Sequence, residues 1–249
     1  MALSWSSRRQ LLYYIVAGIV GVLMLTLGWK LFLTETPTCT DGIQNGNEQG
    51  VDCGGSCSLI CKNTARQPRV LWARAFETDT HIYTAAAYVE NPNPGAGARA
   101  VQYSFRLYDA NNVLIEQRDG VTDLPPMNLI PIVETNLNVG LRTVARTLFS
   151  FSEAPTWNTV STPQPELHLT GQQLESDGTR LSASLVNNSL KDESRVAVIA
   201  VLFDGDGIAR AASKTTVNVA HKSSQPVVFT WPQGVANIVR AEMTILPSF

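Results

Sequence analysis

Basic runs and the familiar catalytic signatures are both missing from this 249-residue sequence. Nineteen Lys and Arg against 21 Asp and Glu give a net charge of −2, and Arg8-Arg9 is the longest basic run. The chain therefore lacks the electrostatic footprint of a nucleic-acid-binding protein. It contains no G-x-S-x-G elbow, P-loop, H-E-x-x-H or dinucleotide-binding motif. We therefore expect no enzyme activity, no catalytic residues and no nucleic-acid partner.

Charge is also absent from Leu11 to Trp29, a run of 19 residues. A helix of that length rises about 28 Å, close to the roughly 30 Å hydrocarbon core of a bilayer. A cleaved signal peptide has a shorter apolar region and a small-residue cleavage site, which Thr34–Pro37 does not supply. A buried core helix is the other alternative. We predict a transmembrane helix over residues 11–33.

The flanking charges predict the orientation of this helix. Arg8 and Arg9 precede the apolar run, and only Lys30 lies near its other end. The positive-inside rule then keeps residues 1–10 in the cytoplasm. We predict a single-pass protein of the cell membrane, anchored in the lipid bilayer, with residues 34–249 outside the cytoplasm.

Cysteine is absent after residue 61, and the four cysteines cluster in a C-x13-C-x3-C-x3-C pattern. Such a cluster beyond a membrane span indicates an oxidising compartment and two disulfides, in a small segment over residues 34–65. Three pairings remain open. A zinc site is the alternative, although no C-x2-C pair is present. The predicted disulfide residues are Cys39, Cys53, Cys57 and Cys61.

Oxygen-bearing side chains crowd the same segment, which suggests a calcium site formed by Asp41, Asn45, Glu48 and Asp52. The spacing does not match an EF-hand loop. Asp-Gly and Asn-Gly are also common turn dipeptides, so the same residues fit plain turns that need no ion. Apart from this candidate calcium site, we expect no cofactor.

Helical signals are absent after about residue 66. Short runs rich in Val, Ile, Thr, Tyr and Phe alternate with Gly, Pro, Asn and Asp, which is typical of an all-β protein. A proline-bearing, uncharged stretch over residues 155–165 divides two blocks and reads as a semi-rigid linker. Residues 66–154 and 166–249 each have about the length of an immunoglobulin-like β-sandwich. The predicted fold is mainly β, with two such domains in tandem.

The two blocks resemble each other in sequence. YVENPNPGAGARAVQYSFRLYDANNVLIEQ in the first corresponds to LVNNSLKDESRVAVIAVLFDGDGIARAA in the second. Leu107-Tyr108-Asp109 thereby aligns with Leu202-Phe203-Asp204, and each Asp begins a hairpin turn. Because side chains alternate along a strand, Leu107 and Leu202 should enter the cores, with Tyr108 and Phe203 on the opposite faces.

Two strings carry family resemblances. Phe105 to Asp109 is a literal F-x-L-Y-D and resembles the FxLYD-type immunoglobulin-like β-sandwich domains of prokaryotic membrane-anchored proteins; the second block departs from it at Ala200. DGxxNGxExxxDCGGxC, beginning at Asp41, resembles a cysteine-rich motif found beside extracellular domains. The resemblances imply an extracytoplasmic module and transfer no catalytic residue.

The sequence therefore predicts a non-enzymatic, membrane-anchored protein that binds another envelope or surface protein, or another cell-envelope component. We expect the contact surface to include the loop Asn91–Ala100 or its counterpart Asn187–Ser194. The alternative is a structural spacer or accessory subunit of an envelope complex. A hydrolase or redox protein would need a convergent group of polar residues. His81, His168 and His221 are widely separated in the sequence, and we interpret them as half-exposed strand residues.

Overall fold

The computed structural model of the chain describes residues 5–32, 37–127, 129–161 and 166–246. Contacts divide the chain into two compact units, Met1–Cys57 and Ser58–Phe249. The division falls inside the predicted cysteine-rich segment 34–65, because Ser58 and the residues after it are bonded to the β-rich unit. The carbonyl oxygen of Ser58 accepts a hydrogen bond from the amide of Thr159 over 2.7 Å.

The first unit contains the only helix in the described part of the chain, α1 (Trp5–Phe32). Its apolar side chains are exposed on every side. Residues Trp5–Lys30 are long and apolar enough to cross a membrane. This composition fits a membrane anchor and equally a signal sequence. The helix begins before the predicted Leu11, and Leu33 lies outside the described residues.

The described residues of the second unit form thirteen β-strands. The strands of its first half are β1 (Arg69–Asp79), β2 (Ile82–Glu90), β3 (Ala96–Tyr108), β4 (Leu114–Leu124), β5 (Leu129–Asn138), β6 (Arg146–Phe151) and β7 (Asn158–Thr159). Those of its second half are β8 (Leu167–Leu174), β9 (Arg180–Asn187), β10 (Glu193–Asp204), β11 (Ala209–Val219), β12 (Ser223–Thr230) and β13 (Ile238–Leu246).

Two sheets pack face to face in the first half, one ordered β1-β2-β5 and the other β4-β3-β6. Alternate residues of β3 fill the core between them: Tyr103, Phe105 and Leu107 are all buried. Ala87 and Val89 of β2 meet them from the other sheet. This period of two is what a half-buried strand requires. We call this pair of sheets the first sandwich.

The second half repeats this arrangement. Its sheets are ordered β8-β9-β12 and β11-β10-β13, the same order as in the first sandwich when each strand is counted from β8. Leu181 and Leu185 of β9 meet Val198 and Leu202 of β10 in a separate core. We call this pair of sheets the second sandwich.

Two buried asparagines show the repeat residue by residue. The side-chain amide of Asn91 donates to a carbonyl five residues later (2.8 Å), and that of Asn187 to one four residues later (2.8 Å). Each Oδ1 also accepts the amide N–H two residues on (both 2.9 Å). Asn91 is therefore equivalent to Asn187, which sets Val89 against Leu185. This agrees with the sequence comparison, in which Asn187–Ser194 is the counterpart of Asn91–Ala100.

The region between the two sandwiches contains more structure than the expected linker 155–165. Trp157 is only 1% exposed and belongs to the core of the first sandwich. Directly after it, β7 pairs with Ala96 and Gly97 at the start of β3. The first sandwich thus extends beyond residue 154. Residues 162–165 lie outside the described residues.

The two sandwiches pack directly against each other. The outer face of the β1-β2-β5 sheet meets the outer face of the β11-β10-β13 sheet, so that the β-rich unit has four sheet layers. As a result β2 and β10 are buried on both faces over most of their length. The buried residues of this interface are Phe76, Ala86, Tyr88, Val133, Ile199, Val201, Phe203, Ala209 and Ala212, with Trp72 and Leu246 packed at its edge.

Candidate functional site

The cysteine-rich segment is cross-linked as predicted, by two disulfides. Cys39 is bonded to Cys57. Cys53 and Cys61 are also disulfide-bonded, and no cysteine is free. Zinc binding by four thiolates is therefore excluded, because zinc is bound by deprotonated, reduced cysteine.

The four calcium candidates make hydrogen bonds within their own loop. The side-chain amide of Asn45 donates to Asp41 over 2.9 Å and lowers the pKa of that carboxyl. Asp52 accepts the amide N–H of Gly42 over 2.9 Å, and Glu48 accepts that of Asp52 over 3.2 Å. These bonds are what the turn interpretation predicts. Calcium binding stays a prediction.

One cluster of potential metal ligands occurs among the described residues. It brings together Cys39, Glu48 and Cys57. Two of its three members are joined to each other in the disulfide, so they offer no thiolate to an ion. The other two carboxylate candidates for calcium, Asp41 and Asp52, are not part of this cluster.

The F-x-L-Y-D residues of the first sandwich have structural roles. Phe105 and Leu107 are fully buried in the core. Tyr108 lies on the opposite face, half-buried, with the guanidinium of Arg146 4.9 Å from its ring centre. The alternation predicted for β3 is thus observed. Asp109, the last residue of the motif, is engaged in the turn that follows.

Asp109 and Asp204 hold equivalent hairpin turns. Oδ1 of Asp109 accepts the amide N–H of Val113 over 2.9 Å, and Oδ1 of Asp204 accepts that of Ile208 over 2.9 Å. These backbone bonds are the main reason why the pKa of each carboxyl is lowered. The second oxygen of Asp109 binds Arg142, from the segment between β5 and β6, and the second oxygen of Asp204 binds Arg210 on β11. The Asp-Gly-Asp-Gly string that begins at Asp204 is thus a hairpin turn, as is its counterpart that begins at Asp109.

In the second sandwich the matching residues do more than fill a core. Leu202 is fully buried within its own sandwich. Phe203 faces the opposite way and is buried in the interface with the first sandwich, where its ring meets Tyr88 edge-on at 6.2 Å. The guanidinium of Arg240 lies 4.3 Å from the centre of the Phe203 ring. Phe203 therefore joins the two sandwiches.

The two predicted contact loops differ in exposure. Half of Asn91–Ala100 is covered, since Asn91, Asn93 and Ala96–Ala98 are buried, whereas Pro94, Gly95, Arg99 and Ala100 are exposed. The amide of Arg66 donates to Asn93 Oδ1 over 2.8 Å, so the chain before β1 packs on this loop. The counterpart Asn187–Ser194 is open to solvent, and Leu190 at its tip is 82% exposed.

The open loop is nevertheless held firmly. Asn187 donates to the carbonyl of Lys191, and the hydroxyl of Ser189 also bonds the backbone of Lys191. Asp192 accepts both the amide and a ring nitrogen of His221, at 2.8 and 2.6 Å. Leu190 therefore projects from a braced backbone, which lowers the entropy that binding would cost.

The sequence reasoning missed the interface between the sandwiches. The signal for it was present, because β2 contains Ala85-Ala86-Ala87-Tyr88-Val89 and β10 contains an unbroken apolar run from Val196 to Phe203. Continuous apolar strands are typical of sheets that are covered on both faces. No protein-family model matches this chain, and no curated protein is significantly similar to it.

Proposed function

We propose that this chain is a non-enzymatic, single-pass membrane protein that presents two immunoglobulin-like sandwiches of the FxLYD type outside the cytoplasm and binds an envelope or surface protein. An apolar helix exposed on all sides supports the anchor. Two disulfides directly after it support an oxidising compartment on the far side. The orientation follows from Arg8 and Arg9.

The observation that carries the binding role is Leu190. A large apolar side chain that is 82% exposed on a braced loop gains free energy when a partner covers it. Lys191 and Asp192 flank it and supply charges for a polar rim. The loop Asn91–Ala100 has no exposed large apolar side chain, so we assign the protein-binding role to Asn187–Ser194.

Photo-cross-linking in native membranes tests this role. A photoreactive amino acid at position 190 should give one discrete cross-linked product, and Leu190→Ser should abolish association with that protein. Leu141, which is 92% exposed on a loop of the first sandwich, is the matched control. Leu141→Ser should leave the association intact. Equal loss in both variants, or none in either, would contradict a specific role for Leu190.

External protease tests the orientation separately. In intact spheroplasts the β-rich unit should be digested, because it lies outside the cytoplasm. Protection until lysis would reverse the orientation, and release of a soluble β-rich unit by the cells would mean that α1 is a cleaved signal.

The interface between the sandwiches favours a second candidate, a spacer or accessory subunit that holds an envelope complex at a fixed distance. A rigid four-layer unit suits this role better than two independently moving domains would. In that case assembly with the partner should depend on the length and stiffness of the unit. Leu190→Ser would then leave assembly unchanged, while variants that separate the sandwiches would impair it.

A further inference from the structure

A polar cleft opens where the first sandwich has elements that the second lacks. It has a volume of about 350 Å³ and lies beside β7. Asn158 of β7 bridges to Leu59 on one side, while β7 pairs with the start of β3 on the other. The strand order of the second sandwich contains no equivalent of β7 within the described residues. The polar residues that line the cleft are Ser58, Arg99, Thr156, Asn158, Thr159 and Ser161.

The walls of the cleft are set by backbone hydrogen bonds. The amide of Thr159 donates to Ser58 (2.7 Å), and that of Val160 donates to Gly95 (2.9 Å). These bonds join three separate stretches of chain around one opening. A preformed cleft spends little free energy on ordering when a ligand binds.

A β-bulge directs Arg99 to the cleft. Between Ala98 and Val101 the register of β3 shifts against β4, and Ala100 adopts a positive φ of 51°. The amide of Ala100 is held by Asp123 Oδ1 over 2.8 Å. Bulges of this kind re-aim side chains and are frequent beside functional sites.

The second sandwich supplies an internal comparison for this bulge. Arg195 is the equivalent of Ala100, with a φ of 55° and its amide bonded to Asn218 Oδ1 over 2.7 Å. The bulge is thus common to both sandwiches, whereas the wall formed by β7 and Ser58 occurs in the first. The cleft is therefore an addition to the repeated fold and not a by-product of it.

The lining chemistry selects the ligand. One Arg, one Asn and four Ser or Thr residues line the opening, and no Asp or Glu does so among the described residues. A guanidinium pairs with carboxylate or phosphate oxygens, while hydroxyl and amide groups exchange hydrogen bonds with sugar hydroxyls. The volume lies within the range of small-ligand sites. We propose that this cleft binds a saccharide that carries an oxyanion, with Arg99 bound to the oxyanion and the hydroxyls bound to the sugar.

A smaller recess beside Arg99 provides a second test of the predicted ligand. It measures about 150 Å³, shares Arg99 and Thr156 with the cleft and contains Glu153. The carboxylate of Glu153 repels an anion near Arg99. Glu153→Gln should therefore tighten binding of an acidic saccharide and leave a neutral one unaffected.

Calorimetric titration of the full chain in phosphatidylcholine nanodiscs tests the proposal. The probes are digalacturonate, glucose 1-phosphate and the neutral disaccharide lactose. At least one acidic probe should bind, and lactose should not. Tighter binding of digalacturonate would indicate a carboxylate as the natural oxyanion, and tighter binding of the sugar phosphate would indicate a phosphate. If neither acidic probe binds at a concentration on the order of 10 mM, or if lactose binds equally well, the proposal is overturned.

Variants connect any binding to the cleft. Arg99→Gln should weaken the acidic probe about tenfold or more, because it removes a charge-assisted hydrogen bond. Asn158→Asp should weaken it as well, by adding a negative charge to a side chain whose backbone pairing is kept. Arg195→Gln, at the equivalent bulge without the cleft, should have no effect. Retained affinity in the Arg99 variant, with an unchanged Tm as proof of folding, would place the binding elsewhere and exclude this site.

Discussion

Tyr88 of the first sandwich donates a hydrogen bond from its hydroxyl to Oε2 of Glu242 in the second, over 2.9 Å. The Tyr88 ring also stacks on Trp72 with ring centres 4.8 Å apart and meets the edge of Phe203. Burial, followed by this bond to a carboxylate, raises the pKa of Tyr88 well above its usual range. One side chain therefore contributes a polar and an aromatic contact to the junction of the two sandwiches.

Tyr88→Phe removes the hydroxyl and keeps the ring. We expect the free energy of unfolding of the full chain to fall by about 1–2 kcal/mol, since a hydrogen bond to a charged group is lost while water still reaches part of Glu242. Chemical denaturation followed by fluorescence measures this. Tyr108→Phe is the control, because Tyr108 is half-exposed and the change should stay within about 0.5 kcal/mol. Equal effects in both variants would mean that the Glu242 bond contributes nothing.

Phe203→Ala tests whether the interface couples the sandwiches. Truncating a buried Phe typically costs about 3–5 kcal/mol. Here the substitution removes packing from the interface, while Leu202 still fills the core of the second sandwich. Calorimetry should show one unfolding transition in the unaltered chain and two in the variant. Val228→Ala, on the outer face of β12, should keep the single transition, and a single transition in both variants would show that other contacts suffice for coupling.

Period-two alternation predicted which side of β3 and β10 enters a core, but not what covers the other side. Leu107 and Leu202 are buried because neighbouring strands of the same sandwich surround them, and those strands are near in sequence. Phe203 is buried by Tyr88, which belongs to the other sandwich. A single-sequence pattern contains no information about such a distant partner, beyond the apolar character of both faces.

The cysteine cluster and the cleft show the same limit. Spacing and location were enough to predict two disulfides among the four cysteines. The cleft depends on Ser58 and Asn158 coming together. We had interpreted residues 155–165 as a linker, and that interpretation gave no reason to expect this contact. Trp157 was the available signal, because a large aromatic residue in a short linker is seldom left in solvent.

Leu107→Ala and Leu202→Ala test the two cores separately. Both side chains are fully buried, so each substitution should reduce the free energy of unfolding by about 2–5 kcal/mol. Urea titrations of the full chain measure the loss. Leu148→Ala is the matched control, since Leu148 is 41% exposed on β6. Loss at Leu148 as large as at Leu107 would contradict the assigned register of the β3–β6 pair.

Calcium should not alter the stability of the cysteine-rich segment if its carboxylates serve the turns alone. Asp41 and Asp52 already accept N–H donors from their own loop, so EDTA is expected to leave the Tm unchanged. A Tm that rises with calcium, falls with EDTA and no longer responds in the Asp41→Asn/Asp52→Asn double variant would establish the calcium interpretation instead. Asp206→Asn, in the Asp-Gly-Asp-Gly turn, is the matched control and should not alter the response.

Asp204 should make the stability of the second sandwich depend on pH in the acidic range. Its pKa in the folded protein is lowered, first by the backbone N–H of Ile208 and also by the guanidinium of Arg210. The pKa of an Asp in an unfolded chain is about 3.9. A carboxyl whose folded pKa lies below that value contributes stability above it, and this contribution is lost as the pH falls through the folded pKa.

Asp204→Asn is therefore expected to cost stability at pH 7 and progressively less as the pH falls below about 4, where the unaltered carboxyl becomes protonated as well. Urea unfolding at pH 7, 5, 4 and 3 should show the two curves converge. Arg210→Gln removes the ion pair but keeps the larger contribution from the Ile208 amide, so that variant should retain more of the pH dependence than Asp204→Asn. If the gap between the unaltered chain and Asp204→Asn stays constant from pH 7 to pH 3, the carboxylate charge is not what holds this turn.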